Sequence, residues 1–326
     1  MVRKNDCMRR VFAVVLVWLS VFGCGFGQTV HVSVGFYNVE NLFDTIPDPF
    51  RHDEEFTPTG ARRWNAQRYQ TKIRNLVRVL DDCGFDVAGL AEVENEQVLR
   101  DLVMNLADDY NYIHRPSNDY RGMDVALIYK GDKFFPDKIQ MIRSGTSRDF
   151  LYVHGRLAGV TTGIVVCHLP SKFNNKSSRV EAAGRLAAVA DSLAATIDGN
   201  RLIVMGDFNG DMRESVMRKA FVAKNDGSLL GGTFRNALHE CGRNGFGSYC
   251  YNGSWSIVDN ILLSTPLTFG SDLHLRHAGI FIEKYLLNTD GSTKRRYYGY
   301  PHRTFSAGNY SAGYSDHLPV YVILEM

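Results

Sequence analysis

Apolar and polar positions follow one another in patterns that predict a strand, a helix and a second strand near the beginning of the chain. The stretch Val30–Tyr37 alternates with a period of two, which is typical of a strand with one buried face. Between Tyr69 and Leu80 apolar residues recur at helical spacing, and Gly84 is expected to end that helix. The nearly continuous apolar run Asp86–Val93 predicts a buried strand, so the chain begins as a strand–helix–strand unit.

Further periodic stretches extend this pattern to the end of the chain. The predicted strands are Val125–Tyr129, Leu151–Leu157, Gly163–Cys167, Leu202–Met205, Ser256–Ser264 and Val320–Glu325. The predicted helices are Gln97–Leu106 and Arg179–Ile197, the second with an apolar face of Val180, Ala183, Ala187, Ala190, Leu193, Ala194 and Ile197. On the first helix of the chain, the surface is expected to carry Arg68, Lys72, Arg74 and Arg78. Strands that alternate with helices predict an α/β fold.

The stretch Arg201–Asp211 carries the strongest local signal for a functional site. Its four apolar residues are followed by Gly206, which permits a tight turn or a close backbone approach, and then by Asp207 and Asn209. If the extended geometry continues, these two side chains point to the same side and can orient a water towards an electrophile. Gly, Asp and Asn are also common turn formers, so a plain turn is the alternative.

The N-terminal 27 residues have the features of a secretory signal peptide. Basic residues precede the apolar run Val11–Phe22, which is shorter than the roughly 20 residues of a membrane span, and a Gly-rich stretch follows it. We expect cleavage after Gly27, which leaves residues 28–326 as one secreted or periplasmic domain. Lipid anchoring through Cys24, in the sequence Val-Phe-Gly-Cys, is the alternative.

Composition sets broad limits on the mature domain. Without residues 1–27 the chain has 33 basic and 34 acidic side chains, so its overall charge does not indicate a polyanionic partner. Its 299 residues are enough for one large core, and no linker or repeat divides them. The absence of CxxC and HExxH motifs disfavours a thiolate or zincin-type metal site. An oxidising compartment would allow Cys241 and Cys250 to form a disulfide.

Eight polar residues lie at or near the ends of predicted strands, or interrupt apolar ones. They are Asn38, Glu92, His168, Asp207, Asn209, Asp259, Asp316 and His317. Because sheet proteins assemble their sites where strand ends converge, we expect these residues to meet. Carboxylate and amide oxygens suit a hard cation such as Mg²⁺, which also binds phosphate oxygens, and the histidines suit the charge that develops on a phosphoryl group.

Seven motifs in order along nearly the whole mature chain resemble those of the endonuclease/exonuclease/phosphatase superfamily. They are FYNVEN (Phe36–Asn41), LAEVEN (Leu90–Asn95), RGMDVALIY (Arg121–Tyr129), CHLPSK (Cys167–Lys172), GDFN (Gly206–Asn209), VDNILLS (Val258–Ser264) and SDHLPV (Ser315–Val320). The resemblance implies a four-layer α/β sandwich, in which two packed mixed β-sheets are flanked by helices and the site lies at one rim. It also implies a metal-dependent phosphoric ester hydrolase that uses Mg²⁺, with Mn²⁺ as an alternative.

The resemblance further implies which residues hold the metal and the attacking water. Glu92 and Asp316 are expected to be the main metal ligands, with Asn38 beside the metal. Asp207 is expected to orient and deprotonate the water, and Asn209 to help hold the water or the phosphate.

The remaining residues are expected to contact the phosphate. His317 would bond a phosphate oxygen and be oriented by Asp259, and His168 would add a second contact that stabilises the pentavalent transition state. Glu40 lies where family patterns place an acidic or polar residue of varying role. The implied reaction is in-line attack of water on a phosphoester, without a covalent enzyme intermediate.

The substrate is expected to depend on loops, since the superfamily includes nucleases, inositol-polyphosphate phosphatases and sphingomyelinases. Secretion and the basic stretches Arg62–Trp64, Arg68–Arg78 and Lys294–Arg303 favour nucleic-acid phosphodiesters. The alternative is a phosphatase or phospholipase-type diesterase that acts on inositol phosphates or other small phosphoesters, although we predict no exposed aromatic hairpin to support lipid hydrolysis. A catalytically inactive binding module is a further alternative, which the complete set of site residues disfavours. We expect a monomer without a membrane span.

Overall fold

The computed structural model describes residues 29–172, 174–221, 223–224, 229–230, 233–289 and 297–326. The expected signal peptide, its cleavage site before Gln28 and the alternative anchor Cys24 lie outside the described residues, as do residues 294–296 of the basic stretch Lys294–Arg303. Within the described part of the chain, no helix combines the length and the apolar character that crossing a membrane requires.

The first sheet has six strands around a parallel pair. β1 (His31–Leu42) and β2 (Val87–Val93) are parallel because α1 (Ala66–Cys83) connects them as a crossover helix. The strands that complete it in antiparallel pairing are β3 (Tyr110–His114), β4 (Asp124–Lys130), β15 (His274–Ile280) and β18 (Val320–Glu325). Their order is β15-β18-β1-β2-β4-β3, so the sheet is mixed.

The second sheet has eight strands and is also mixed. Its parallel pair is β7 (Val160–His168) and β8 (Leu202–Asp207), which α3 (Lys176–Thr196) connects. Its other strands are β5 (Phe134–Ile142), β6 (Phe150–Leu157), β9 (Ala223–Lys224), β10 (Leu229–Leu230), β11 (Phe234–Asn236) and β14 (Asp259–Ser264). Their order is β5-β6-β7-β8-β14-β11-β10-β9.

The two sheets pack face to face, and helices cover their outer faces. Val34 and Phe36 of β1 lie in the same apolar core as Ile203 and Met205 of β8, which places alternate residues of each strand between the sheets. α1 and α2 (Glu96–Val103) cover the first sheet, and α3 and α4 (Ser215–Phe221) cover the second. The short helices α5 (His239–Arg243) and α6 (Thr265–Phe269) lie in connections. The predicted four-layer sandwich is therefore confirmed.

Two small hairpins extend beyond the sheets. They are β12 (Tyr249–Tyr251) with β13 (Ser254–Ser256), and β16 (Phe305–Ser306) with β17 (Asn309–Tyr310). The first hairpin exposes 60% of Tyr251 and 37% of Trp255, so the expectation that the chain lacks an exposed aromatic hairpin was wrong. Its turn is Asn252-Gly253, with φ of 47° and 80°, the sequence that most favours a two-residue hairpin.

The boundaries of α1 follow from its capping residues. The Asn65 side chain accepts the backbone N–H of Arg68, which satisfies one free donor of the first turn. At the other end Gly84 has a φ of 59°, and its N–H donates to the carbonyl of Leu80. A left-handed residue after the last turn is most easily glycine, so the predicted end of this helix is confirmed.

Lys72 was expected on the exposed surface of α1, and this prediction was wrong. Its side chain is buried, because it lies three residues after Tyr69 and four before Leu76 on the apolar stripe. The Lys72 Nζ donates to Thr304 Oγ1 at 2.8 Å and to the carbonyl of Tyr314 at 2.5 Å. This lysine therefore ties α1 to the segment that precedes β18.

The buried face of α3 also differs from the predicted one. The residues it buries most are Arg179, Ala182, Ala183, Leu186, Val189, Ala190 and Ala194. Val180, Ala187 and Leu193 of the predicted face are only partly buried. Alanine occurs on most sides of this helix, so the alanines do not define which face is buried. The two large apolar residues Leu186 and Val189 determine the buried face.

The described cysteines are all free thiols. Cys83, Cys167, Cys241 and Cys250 form no disulfide, so the optional Cys241–Cys250 bridge is not present. Burial raises the pKa of the Cys167 thiol well above its usual value, with the Asp207 charge adding to the effect. Cys167 is thus a small buried apolar residue, as the sequence indicated.

Glu94, just beyond β2, is a carboxyl that the fold holds in its neutral form. Burial raises its pKa from 4.5 to about 9, while the Asp44 N–H, which donates to Glu94 Oε2 at 2.7 Å, opposes the rise. A raised carboxyl pKa means that stability is lost as pH rises from about 4.5 towards 9. We expect Glu94→Gln, which cannot ionise, to raise the free energy of unfolding by ~2 kcal/mol at pH 8 and to have no effect near pH 4.

Thermal unfolding of both proteins at the two pH values checks this expectation. Glu96→Gln, on the exposed first turn of α2, is the matched control. Equal stabilities of the Glu94 variant and the parent chain at pH 8 would contradict the assignment of a neutral carboxyl.

Candidate active site

The second sheet places three polar residues in one row at its rim. His168 is opposite Asp207 in the parallel pair β7–β8, and Asp207 is opposite Asp259 in the antiparallel pair β8–β14. Residues two positions apart on a strand point to the same face of the sheet. Each of the three lies two positions from a residue of the core between the sheets, as Asp207 does from Met205, and therefore also points between the sheets. Asp259 begins β14, because the predicted strand Ser256–Ser264 is interrupted after β13.

The first sheet contributes Asn38, which points into the same space as Phe36. Its Nδ2 lies 3.1 Å from Asp207 Oδ2 and 3.2 Å from Glu92 Oε1, while its Oδ1 accepts the N–H of Glu40 at 3.0 Å. The amide nitrogen, not the oxygen, thus faces the carboxylates. In this arrangement Asn38 is a donor that joins the two sheets, and its place beside a metal stays a prediction.

Glu92 reaches the site because the end of β2 is irregular. Ala91 faces the second sheet, so simple alternation would turn Glu92 towards the helices. A shift in register between Ala91 and Val93, together with a φ of 65° at Glu92, redirects the side chain. Its Oε2 accepts the N–H of Asn41 at 2.9 Å, and its Oε1 lies 4.0 Å from His168 Nε2.

Left-handed backbone conformations are concentrated at this rim. Four non-glycine residues have a positive φ here: Glu40 (49°), Asn41 (53°), Glu92 (65°) and Asn209 (48°). Such conformations cost on the order of 1–3 kcal/mol each and persist where surrounding contacts impose them. Their clustering at the ends of β1, β2 and β8 marks the rim as the functional edge of the sheets.

Asp207 and Asn209 lie side by side through a turn. The strand ends at Asp207, so the extended backbone does not continue to Asn209. Instead, the Asn209 N–H donates to Asp207 Oδ1 at 2.7 Å. Asn209 Nδ2 donates to the carbonyl of Leu169 at 2.9 Å and lies 3.3 Å from Asp207 Oδ2. Gly206 permits the close approach to β7, since a Cβ there would lie 2.1 Å from the Cys167 carbonyl oxygen.

His317 is held by Asp259 and faces two more carboxylates. Its Nδ1 lies 2.8 Å from Asp259 Oδ2, and its Nε2 lies 3.9 Å from both Asp207 Oδ2 and Asp316 Oδ1. Burial alone would lower the pKa of His317, but the three carboxylates raise it well above the usual value. The imidazolium is therefore the stable form at neutral pH. The Tyr249 ring lies against it, with ring centroids 4.9 Å apart and the ring planes inclined at 36°.

Asp207 is placed to accept a proton near neutral pH. Burial raises its pKa to about 7, the Asp259 and Glu92 charges act in the same direction, and the His317 charge opposes them. A base whose pKa lies near the working pH combines ionisation with a useful affinity for the proton. This property fits the predicted role in deprotonating water.

His168 is neutral and is bound by an arginine that the sequence did not indicate. Arg148 Nη1 lies 2.6 Å from His168 Nε2, and its Nε donates to Asp119 Oδ2 at 3.2 Å. Burial and the Arg148 charge lower the pKa of His168 well below its usual value. Because arginine can only donate, His168 Nε2 is an acceptor here and does not itself offer a proton to a phosphate. The positive charge at this side of the site is that of Arg148.

Asp316 belongs to a second charged group, on the opposite side of the site. Arg303 Nη2 donates to Asp316 Oδ2 at 2.6 Å, and its Nε lies 3.4 Å from Glu40 Oε1. Glu40 also accepts the N–H of Thr304 at 2.7 Å, and burial raises its pKa to about 7. Burial lowers the pKa of the neighbouring Lys72 to about 8. Arg303 thus pairs with carboxylates at the site, whereas the sequence indicated a phosphate-tracking role.

A divalent cation fits the carboxylates at this rim. Glu92 and Asp316 keep 16% and 17% of their side chains exposed, which suits an ion that retains waters and uses one or two carboxylates. Among the described residues, the tightest group of ligand-type atoms is that of Asp207, Asp259 and His317, all within 4.8 Å. His317 and Asp259 are hydrogen-bonded to each other there, which leaves Glu92 and Asp316, the ligands that the resemblance implied, as the carboxylates that would hold the cation, with Arg303 as the present partner of Asp316.

Sequence reasoning did not assign to the site four residues that support this arrangement, and only Ser315 lies within a recognised motif. They are Arg148, Tyr249, Arg303 and Ser315. The Ser315 hydroxyl donates to the carbonyl of Asn38 at 2.7 Å and accepts the N–H of His317 at 3.1 Å, and this residue belongs to the SDH motif. The other three residues lie outside the motifs in the sequence, and the fold brings them into contact with motif residues.

Comparison with protein families gives a match along nearly the whole described chain. A family model described as "Endonuclease/Exonuclease/phosphatase family" matches residues 33–326. No curated protein sequence matches this chain.

Solved structures share the fold at low sequence identity. An endonuclease/exonuclease/phosphatase family protein from Bacteroides thetaiotaomicron is 19% identical, with a TM-score of 0.61 over 91% of this chain and 98% of that one. A mannosyl-6-phosphatase from B. thetaiotaomicron VPI-5482 is 17% identical, with a TM-score of 0.60 over 90% and 99%. D. rerio TDP2 complexed with a single-strand DNA product is 16% identical, with a TM-score of 0.58 over 91% and 99%.

Proposed function

Because the chain belongs to the endonuclease/exonuclease/phosphatase family of metal-dependent phosphoester hydrolases, we propose that it hydrolyses a phosphoester by in-line attack of water, with Mg²⁺ as its cation. The observation that carries the proposal is the buried row His168–Asp207–Asp259 at a rim shared by both sheets. At this rim a base that is suited to neutral pH, Asp207, lies beside groups that can bind negative charge.

In this proposal the water is activated at Asp207. The carboxylate accepts the proton of the attacking water at Oδ2, the oxygen that faces Asn38 and Asn209. Hydrogen bonds from these two amides hold Oδ2 in place, so the water is oriented before the reaction begins. No side chain has to become bonded to phosphorus.

The phosphate is bound from two sides. The His317 imidazolium, oriented by Asp259, donates Nε2–H to one phosphate oxygen, and the Arg148 guanidinium beside His168 meets another. His168 acts here by positioning Arg148. When bound, Mg²⁺ would be held by Glu92 and Asp316 and would neutralise charge on the phosphoryl oxygens.

The geometry favours a compact phosphoester as the substrate. The predicted nucleic-acid surface depended on basic side chains that are engaged within the protein. Arg62 pairs with Glu55 at 3.0 Å, Lys72 is buried, and Arg303 pairs with Asp316. On α1, Arg68 and Arg78 lie over the rings of Tyr310 and Tyr285, at 4.3 Å and 3.8 Å from the ring centroids. The described surface thus offers a phosphate backbone fewer free cations than the sequence suggests.

A nucleic-acid phosphodiester is the second candidate. It is supported by the shared fold of the TDP2 structure that holds a single-strand DNA product. The mannosyl-6-phosphatase with the same fold supports the compact ester. The alternative of an inactive binding module loses support because the reactive side chains are all in contact at one rim.

We further propose that the mature domain is secreted or periplasmic and begins at Gln28. The proposal rests on the basic residues, the short apolar run and the Gly-rich stretch within residues 1–27. Mass spectrometry of the protein from its native host tests it, since an intact Met1 would rule it out and a diacylated Cys24 would replace it with the anchored form.

We expect residues 28–326 to hydrolyse phosphoesters with Mg²⁺ and to lose this activity in EDTA. The assay compares hexose 6-phosphates, an inositol polyphosphate, bis(4-nitrophenyl) phosphate, plasmid DNA and RNA. Glu92→Gln is expected to raise the Mg²⁺ concentration for half-maximal activity at least about tenfold, because it removes a charged ligand. Glu96→Gln, at the exposed start of α2, is the matched control.

Two results would decide against parts of this proposal. Activity that persists in EDTA would exclude the metal-dependent mechanism, and cleavage restricted to DNA or RNA would replace the compact ester with the second candidate. A rise in melting temperature on addition of Mg²⁺, absent in Glu92→Gln, reports metal binding independently of any substrate.

A further inference from the structure

A pocket beside Asp316 takes no part in the proposed reaction. Its volume is about 590 Å³, and Asp316 and Arg303 form the wall that it shares with the reaction site. Tyr251 and Asn252 of the β12–β13 hairpin also line the pocket, as does Tyr300. A group attached to a phosphate at Asp316 would therefore enter this pocket.

We propose that the pocket binds the organic part of the substrate and that this part is a polyhydroxylated ring of the sugar type. The proposal rests on the proposed function, because it names the ester that the site hydrolyses. It assigns substrate selection to the hairpin and to the segment around Tyr300, and leaves the reaction to the residues at the rim.

The size and chemistry of the pocket support a compact polar ring. Its volume lies within the range of small-molecule sites, about 300–1,000 Å³. Asn252, Asn288 and Ser306 contribute amide and hydroxyl groups, which donate and accept hydrogen bonds as sugar hydroxyls do. An extended anionic polymer would instead need a line of free cations.

The tyrosines of the pocket suit a puckered ring better than a flat base. The rings of Tyr297 and Tyr300 are 5.8 Å apart between centroids and inclined at 79°, so they form an edge-to-face pair. Such a pair cannot enclose a base between two parallel faces, whereas single faces and edges can pack against the C–H groups of a sugar.

The walls of the pocket meet on the side of Tyr300. A Cβ added to Gly253 of the hairpin would lie 3.8 Å from the Tyr300 hydroxyl. Among the described residues, the two walls of the pocket thus come within contact distance of each other at Tyr300. Tyr251, which is 60% exposed, stands at the side where a ligand can enter.

The test compares two esters that differ only in their organic part. We expect two variants to lower kcat/KM for the preferred hexose 6-phosphate, among those of glucose, mannose and galactose, by about tenfold. Tyr251→Ala removes a contact with the ring, and Ser306→Trp fills part of the pocket. For 2-hydroxyethyl phosphate, which is too small to reach these residues, kcat/KM is expected to change less than about twofold. Phe135→Ala is the matched control, since Phe135 is 70% exposed and pairs with Arg156 at the far end of the second sheet.

Three results would overturn the inference. They are an equal loss for both esters, no loss for either, and a preference of the parent chain for nucleoside 5′-monophosphates over every hexose phosphate. Melting temperatures of the variants separate a folding defect from a binding defect, and Tyr251→Ala, on an exposed residue, is expected to fold normally.

Failure of the proposed function gives a different result, namely no hydrolysis of any ester with Mg²⁺. Calorimetric titration of hexose 6-phosphate into Asp207→Asn tests the pocket in that case. If the sugar phosphate binds about tenfold more weakly to the double variant with Tyr251→Ala, the inference is supported. If its binding is unchanged, or if it does not bind at all, the inference is overturned.

Discussion

Asp207→Asn is expected to lower kcat by about 10²- to 10⁴-fold, the range typical of a lost general base. The amide has the shape of the carboxylate but cannot accept the proton of the attacking water. Because the native carboxyl has a pKa of about 7, the rate of the parent chain should rise with pH through that value as the base ionises. Steady-state kinetics at saturating Mg²⁺ from pH 5 to 9 measures both effects.

The same substitution is not expected to unfold the protein. It removes a buried negative charge from the neighbourhood of Asp259 and Glu92, so the melting temperature should stay the same or rise. Asp198→Asn is the matched control, since Asp198 is exposed just before the other end of β8. If Asp207→Asn kept more than about a tenth of the activity, another group would have to be the base.

His317→Gln is expected to lower kcat/KM by about 10²- to 10³-fold, as the loss of a charged donor to a developing oxyanion does. Glutamine can still donate one hydrogen bond but carries no charge. His277→Gln, which changes an exposed histidine of β15, is the matched control. A loss of less than about threefold would show that His317 does not contact the phosphate in the transition state.

Asp259→Asn separates the charge of His317 from its position. The carboxylate of Asp259 is the first of the three that raise the pKa of His317, so its removal lowers that pKa. The imidazolium is then lost at lower pH, and the alkaline limb of the kcat/KM profile should move to lower pH. If the alkaline limb of the kcat/KM profile does not move, the titration of a group other than His317 causes the fall in activity.

Strand positions and the reactive residues could be read from the sequence because each depends on a short-range pattern. The periodicity of Val30–Tyr37 and the apolar run before Asp207 correspond to β1 and β8, and the polar residues after such runs meet at the rim. Parallel strands place their ends at the same edge, so His168 and Asp207 needed no further information to be expected together.

The orientation of side chains could not be read in the same way. Alternation would turn Glu92 away from the site, and only the irregular end of β2 brings it back. The amide of Asn38 presents its nitrogen because the backbone of Glu40 occupies its oxygen. These are contacts between atoms that no spacing in the sequence specifies.

The basic residues were misjudged for a related reason. A run of arginines and lysines has the same appearance whether the charges face solvent, aromatic rings or carboxylates. Arg303 and Asp316 are 13 residues apart, and their pairing depends on the path of the segment between β15 and β18. Arg148 meets His168 because β6 and β7 are neighbours, a fact of sheet order.

The left-handed residues at the rim bear on how such a chain would change if selection for activity were relaxed. Asn41 holds a conformation that glycine adopts without steric cost, so glycine there would relieve backbone strain and favour the folded state. Neutral residues in place of the clustered carboxylates would act in the same direction. In a lineage that lost its substrate, substitutions should therefore accumulate first at this rim, and the inactive proteins should unfold at higher temperatures than the enzyme.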